Sequence, residues 1–196
     1  MTRTVNSPRA LLALGLAASL VAIAACDQTA DGNSSANSAQ TGEAEDGAGG
    51  KTIAAGLDQN GKFFQAAKAA GLDATLAGPG PYTVLIPDDA AFAKLPAGAL
   101  DTMMEPASRS ELTGVLTYHI LPGTVLAEDI GKAIDTGKGK AVLATMGGGT
   151  LTATKEGGKV VLTDSAGGKA TVTAADDKRS NGVVHHVDTV LMPANA

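Results

Sequence analysis

The sequence predicts an α+β domain in which helices come first and a strand meander last. Three observations carry this. Apolar residues between positions 53 and 134 recur mostly at helical spacing, interrupted by one β-rich run. From Ala141 the period becomes alternating. Glycine clusters at Gly147-Gly148-Gly149, Gly157-Gly158 and Gly167-Gly168 then separate successive short runs, as antiparallel hairpins require.

In chain order, Ile53, Leu57, Phe63, Phe64, Ala67 and Ala70 form one helical stripe, and Gly71 is a C′ stop. Leu72 and Leu76 mark a second helical turn before Gly78-Pro79-Gly80-Pro81 breaks the chain. Tyr82 to Ile86 is a strand ended by Pro87, and Asp88 or Asp89 can cap the helix that follows, with Ala91, Phe92 and Leu95 facing inward. Pro96 starts a segment ending near Met103 and Met104, flexible side chains suited to filling core gaps or lining an apolar entrance. Ser108 and Glu111 have capping-box spacing, and Leu112, Val115, Leu116 and His119 continue as a helical stripe to Pro122-Gly123. Val125 to Ile134 reads as a strand or turn and then a helix. Five strands complete the domain, at 142–145, 150–154, 159–163, 169–174 and 183–191. In the last, Val183, His185, Val187, Thr189 and Leu191 share one face; Val184, His186, Asp188 and Val190 share the other.

Three segments resemble the fasciclin-like (FAS1) family. Thr83-Val84-Leu85-Ile86-Pro87-Asp88-Asp89-Ala90-Ala91-Phe92 is similar to its first signature, a strand followed by Pro-Thr-Asn-x-Ala-Phe. Asn181-Gly182-Val183-Val184-His185-His186-Val187-Asp188-Thr189-Val190-Leu191-Met192-Pro193 is similar to the second, Asn-Gly-x-x-His-x-x-Asp-x-Val-Leu-x-Pro. Leu116-Thr117-Tyr118-His119-Ile120-Leu121-Pro122-Gly123 resembles the Tyr-His segment between them, and the three stand in the family's order. Asp88 and Asp89 occupy positions where the family often has Thr and Asn; at the second an acceptor survives and an amide donor is lost. The resemblance implies a single domain over 51–196, a wedge of two small β-sheets with packed helices, and two signature strands side by side in its core. It marks Thr83, Pro87, Asp89, Phe92, Asn181, Gly182, His185, Asp188 and Pro193 as structural signature residues. It also implies an extracellular adhesion or interaction module. A carrier of an apolar small molecule such as a carotenoid is the alternative. Tyr118 and His119 are partner-contact candidates by the same resemblance; the competing reading packs Tyr118 at a helix end and hydrogen-bonds His119 near the signature strands.

Residues 1–25 read as a secretory signal peptide: Arg3 and Arg9, an apolar run from Ala10 to Ala22, then Ile23-Ala24-Ala25 before Cys26. The ending resembles a bacterial lipobox, which implies lipidation of Cys26 and an exported protein, periplasmic or at the cell surface, held to a membrane by that lipid. Residues 26–50 read as the lipidated cysteine and a disordered acidic tether, carrying Asp27, Asp31, Glu43, Glu45 and Asp46 without Lys or Arg. Such a chain spans about 25–30 Å on average.

Composition narrows the function. The formal net charge is −5 and there is no basic stripe, which argues against nucleic acid as a partner. Cys26 is the only cysteine, so an intrachain disulfide or a multi-cysteine metal site is impossible. With no Trp, three Phe and two Tyr, the phenylalanines are needed inside, and Phe63, Phe64 and Phe92 read as core. The sequence has no Gly-x-Ser-x-Gly elbow, phosphate-binding loop, His-Glu-x-x-His or EF-hand pattern. His185 and His186 point to opposite faces and are poorly placed to share a metal. No cofactor, metal or catalytic residue is therefore expected. The reading is a non-enzymatic binding module for adhesion or envelope interactions, with an unknown protein or glycan partner.

Overall fold

The computed structural model describes residues 50–194. The segments expected to be a signal peptide, a lipidation site at Cys26 and, for nearly all its length, an acidic tether lie outside the described residues. Helices dominate up to residue 136: α1 (Ile53–Gly56), α2 (Lys62–Ala70), α3 (Asp73–Ala77), α4 (Asp89–Phe92), α5 (Ala99–Met104), α6 (Arg109–Tyr118) and α7 (Ala127–Thr136). Two strands interrupt them, β1 (Tyr82–Pro87) and β2 (Ile120–Pro122). The meander follows as β3 (Ala141–Ala144), β4 (Thr150–Glu156), β5 (Lys159–Thr163), β6 (Lys169–Arg179) and β7 (Gly182–Val187).

The strands join in the order β2-β1-β7-β6-β5-β4-β3. The signature strands β1 and β7 lie side by side and parallel, from Tyr82 opposite Gly182 to Pro87 opposite Val187; every other pairing is antiparallel. The expected two small sheets are two limbs sharing β6. Its first residues pair with β5 and the rest with β7, and the register slips twice between Val172 and Asp177. Asp176 takes a left-handed φ of 61° at that irregularity. Extra residues in one strand force this kind of local turn.

The limbs enclose two apolar clusters. One lies between sheet and helices and includes Ile53, Phe63, Leu76, Val84, Ile86, Phe92, Leu112 and Val184. The other holds Leu85, Tyr118, Leu121, Ile130, Leu151, Leu162, Val187 and Leu191. Alternate residues of β1 enter opposite clusters, so the strand is buried on both faces and reads as a continuous apolar run.

Local chemistry revises several expected boundaries. The single stripe from Ile53 to Ala70 is two helices, because Asp58 accepts from the Asn60 N–H at 2.9 Å and turns the chain ahead of Gly61. Gly71 ends α2 as expected, with φ 78° and the Leu72 N–H on the Ala67 carbonyl. Ser108 makes no capping bond; a 3-10 turn over Pro106–Ser108 leads into α6 instead. The last strand stops at Val187: the Asp188 N–H still meets the Thr171 carbonyl, but the Thr171 N–H returns to the Asp188 carboxylate, and the backbone ladder ends there. β2 follows α6 after His119 alone and ends at Pro122, too short for an alternating pattern to reveal it.

Candidate functional site

The signature residues converge around the β1–β7 pair, and most of their polar atoms bond inward. Thr83, fully buried, donates its hydroxyl to the Gly123 carbonyl and accepts the Val125 N–H, both at 2.8 Å. This fastens β1 to the segment leading into α7. Asn181 accepts from the Ile53 N–H at 2.7 Å and donates to the Leu76 and Gly78 carbonyls at 2.9 and 2.8 Å. One amide thus pins α1 and the end of α3 to the β6–β7 turn. Gly182 permits a close approach of the two strands: a Cβ there would collide with the Tyr82 carbonyl oxygen.

The two buried histidines act as opposite tautomers. His119 Nε2 accepts the Leu191 N–H at 3.0 Å, so the proton is on Nδ1, which donates to the Val115 carbonyl at 2.8 Å. Burial pushes its pKa down to about 4, against smaller upward pulls from the Val115 hydrogen bond and the Asp164 charge. In His185 it is Nδ1 that accepts, from the Asp176 N–H at 3.1 Å, and Nε2–H donates to the Val125 carbonyl at 2.8 Å. His119 ties α6 to the C-terminal segment; His185 ties β7 to the segment before α7.

Tyr118 and His119 are each 1% exposed. The Tyr118 hydroxyl donates to the Thr150 carbonyl at 2.7 Å and accepts the Ser165 N–H at 3.1 Å. Both side chains are thus turned into the fold. Phe92 and Pro87 are likewise buried, and Pro193 is half-buried. Asp188 accepts from the Thr171 N–H at 2.8 Å and the Thr189 hydroxyl at 3.0 Å. Partial burial works to raise its pKa, but these hydrogen bonds and the Lys94 ammonium hold it below the ordinary carboxylate value.

The aspartate pair departs from the sequence expectation. Asp88 stands at the N-cap of α4 without a side-chain capping bond; its carboxylate faces His186 Nδ1 at 3.2 Å and the Thr173 hydroxyl at 3.3 Å. Asp89 caps a different helix, accepting the Lys62 N–H at the start of α2 at 3.0 Å. Beside them opens a cleft of about 190 Å³ between the α1–α2 turn and the β1–α4 junction, lined by Leu57, Asp58, Phe64, Asp88, Asp89 and His186 among others. Phe64, expected in the core, is half-buried on this wall. A broader, shallow groove of about 750 Å³ runs beside Pro79-Gly80-Pro81 and Arg179. Sequence reasoning missed both, since each joins segments distant along the chain. Among the described residues no group of three or more His, Cys, Asp or Glu converges to hold a metal ion, and no helix is long and apolar enough to cross a membrane.

Comparison with known proteins agrees with this architecture. The chain is 37% identical over 141 residues to Protein sll1483 of Synechocystis, covering 72% of this chain and 71% of that protein. It is 34% identical over 114 residues to the immunogenic protein MPB70 of Mycobacterium bovis, covering 58% and 51%. It is 32% identical over 133 residues to the transforming growth factor-beta-induced protein ig-h3 of Sus scrofa, 67% of this chain but only 17% of that one. The solved FAS1 domain pair of the insect cell adhesion molecule Fasciclin I shares the fold, with a TM-score of 0.50 and 24% identity over 66% of this chain and 44% of that one. The fasciclin domain matches residues 58–193, a stretch that takes in all seven strands and every helix after α1, and the chain therefore belongs to the fasciclin family.

Proposed function

We propose that this fasciclin domain is a non-enzymatic binding module, exported and anchored by a lipid on Cys26, that mediates adhesion or envelope interactions outside the cytoplasm. The observation that carries the reading is the inward commitment of the signature side chains. Both buried histidines and the amide of Asn181 have their polar atoms engaged within the fold. A general base or nucleophile needs a free, approachable atom, and these residues offer none. Recognition then falls to loops and clefts carried on a rigid sheet. The fold shared with a cell adhesion molecule supports the same direction. The cleft beside Phe64, at about 190 Å³, is smaller than the roughly 300–1,000 Å³ of small-molecule sites; the groove beside Pro79-Gly80-Pro81, at about 750 Å³, falls within that range and keeps carriage of an apolar ligand as the second reading.

The test is deletion of the gene with complementation by wild-type protein and by a Cys26→Ala variant. Surface attachment or envelope integrity should fall on deletion, return with wild type, and return poorly with the unanchored variant. Unchanged attachment and integrity in the deletion strain would refute the adhesion and envelope role. A stoichiometric apolar adduct in the purified protein would move the function to carriage.

A further inference from the structure

We propose that the cleft between the α1–α2 turn and the β1–α4 junction is a docking pocket for a basic side chain, arginine by preference, of a protein partner. The inference rests on the binding-module reading and names the chemistry of the partner. Two features of the cleft fit that occupant and disfavour others.

The first is its wall. Leu57, Phe64 and Ile86 supply an apolar surface beneath a rim of charge. The volume of about 190 Å³ suits one side chain. Arginine matches such a surface because its flat guanidinium stacks on an aromatic face while its hydrocarbon stem covers aliphatic groups.

The second is the rim. Asp58, Asp88 and Asp89 reach the cleft from two separate segments. Asp58 uses one oxygen on the Asn60 N–H, and Asp89 uses one on the Lys62 N–H. No ion pair engages Asp58 or Asp89 among the described residues; Asp88 alone has a partner, His186 at 3.2 Å. The basic residues nearby are His186, whose ring is half-exposed on β7, and Lys62 at the start of α2, which forms no ion pair among the described residues. The second oxygens of Asp58 and Asp89 are the acceptors a guanidinium requires, since it donates along a planar fork. An anion would meet three carboxylates at close range. A neutral apolar ligand would strip water from those carboxylates without replacing their hydrogen bonds, which is costly. The oxygens do not converge as a metal site does.

The test is a titration of the purified full chain with N-acetyl-arginine methylamide, followed by backbone-amide NMR. Its citrulline counterpart, equal in shape but neutral, and calcium chloride serve as parallel probes. Saturable shifts confined to residues around 57–64 and 86–89 are expected with arginine at millimolar concentration. Citrulline should bind at least about tenfold more weakly, the scale of a lost charge-assisted hydrogen bond. The double variant Asp58→Asn, Asp89→Asn keeps both backbone hydrogen bonds through its amide oxygens, so its spectrum should stay folded while arginine binding is lost. Phe64→Leu should weaken binding without abolishing it. Arginine shifts unchanged in the double variant, equal binding of citrulline, or a stronger response to calcium would each overturn the pocket. In cells the double variant should attach no better than the deletion strain. Attachment at wild-type level in the double variant, where deletion abolishes it, would overturn the pocket and leave the binding-module reading standing.

Discussion

Replacing Asn181 by Ala tests whether one side chain holds the helical layer to the sheet. Asn181 is 8% exposed and joins residues 128 and 105 positions away, Ile53 and Leu76, besides Gly78. Truncation leaves one N–H and two carbonyls without their partner. Each net hydrogen bond is worth about 1 kcal/mol, and each buried group left unpaired costs about 1–3 kcal/mol. Ile53 and Leu76 are buried, whereas Gly78 is half-exposed and can turn to water. The expected loss is therefore about 3–4 kcal/mol, below the plain sum. Asn181→Asp makes the comparison sharper. It keeps the acceptor for the Ile53 N–H but sets a carboxylate oxygen against the carbonyls of Leu76 and Gly78. It should be at least as damaging as Ala at neutral pH and recover part of the loss on acidification, when a protonated carboxyl can donate. Urea unfolding followed by circular dichroism, with linear extrapolation, gives both differences. A loss below about 1 kcal/mol for the Ala variant, or an Asp variant as stable as wild type at pH 7, would refute the claim that this amide pins α1 and α3.

Three further outcomes follow from the same geometry. The pKa of His119 falls from 6.5 unfolded to about 4 folded, so between these values the unfolded chain binds more protons. Stability should fall as pH drops from 6.5 towards 4, by about 3 kcal/mol at about 1.4 kcal/mol per pH unit, and be indifferent to this group above pH 7; unfolding at stepped pH should show a shallower loss in His119→Leu, and an equal slope would disprove the linkage. Phe92→Ala and Leu191→Ala should each cost about 2–5 kcal/mol in urea, as deletions from a filled core do. Gly182→Ala, whose Cβ would collide with the Tyr82 carbonyl, should destabilise by about 3 kcal/mol or more, and hydrogen exchange should quicken along β1 and β7; unchanged exchange there would show that the strands pair without this close approach.

Much of the fold was legible because its local chemistry agrees with its global plan. The run Thr83 to Pro87 is apolar on both sides because β1 separates two cores, and glycine clusters mark the hairpins from β3 to β6. The failures share a cause: tertiary contacts that redirect a local signal. Asp89 has the sequence position of a cap for α4, yet its carboxylate reaches the start of α2 because β1 delivers it there. Leu57 continues the apolar spacing from Ile53 towards Phe63, but the Asp58 turn separates α1 from α2. Thr189 and Leu191 keep the alternation of β7, while the Leu191 N–H leaves the sheet for His119. The cleft was invisible because its walls come from residues 57–64 and 86–89 and from β7, which only the folded sheet brings together.

The same facts explain why the signatures report a fold better than a partner. Thr83, Asn181, His119 and His185 bond inward, and any change there is felt first as lost stability. A partner touches what remains outside that network. Leu57, Asp58 and Phe64 lie in neither signature, and Asp88 and Asp89 lie in the one stretch where this chain departs from the usual Thr-Asn pair. Those two aspartates place charge at the mouth of an apolar cleft while one of them still serves as a helix cap. Structural and recognition roles are thus divided between atoms of a single carboxylate: one oxygen of Asp89 holds α2 and the other is available to a cation. An Asn at that position preserves the first role and removes the charge from the second, so stability and recognition can be separated by one substitution.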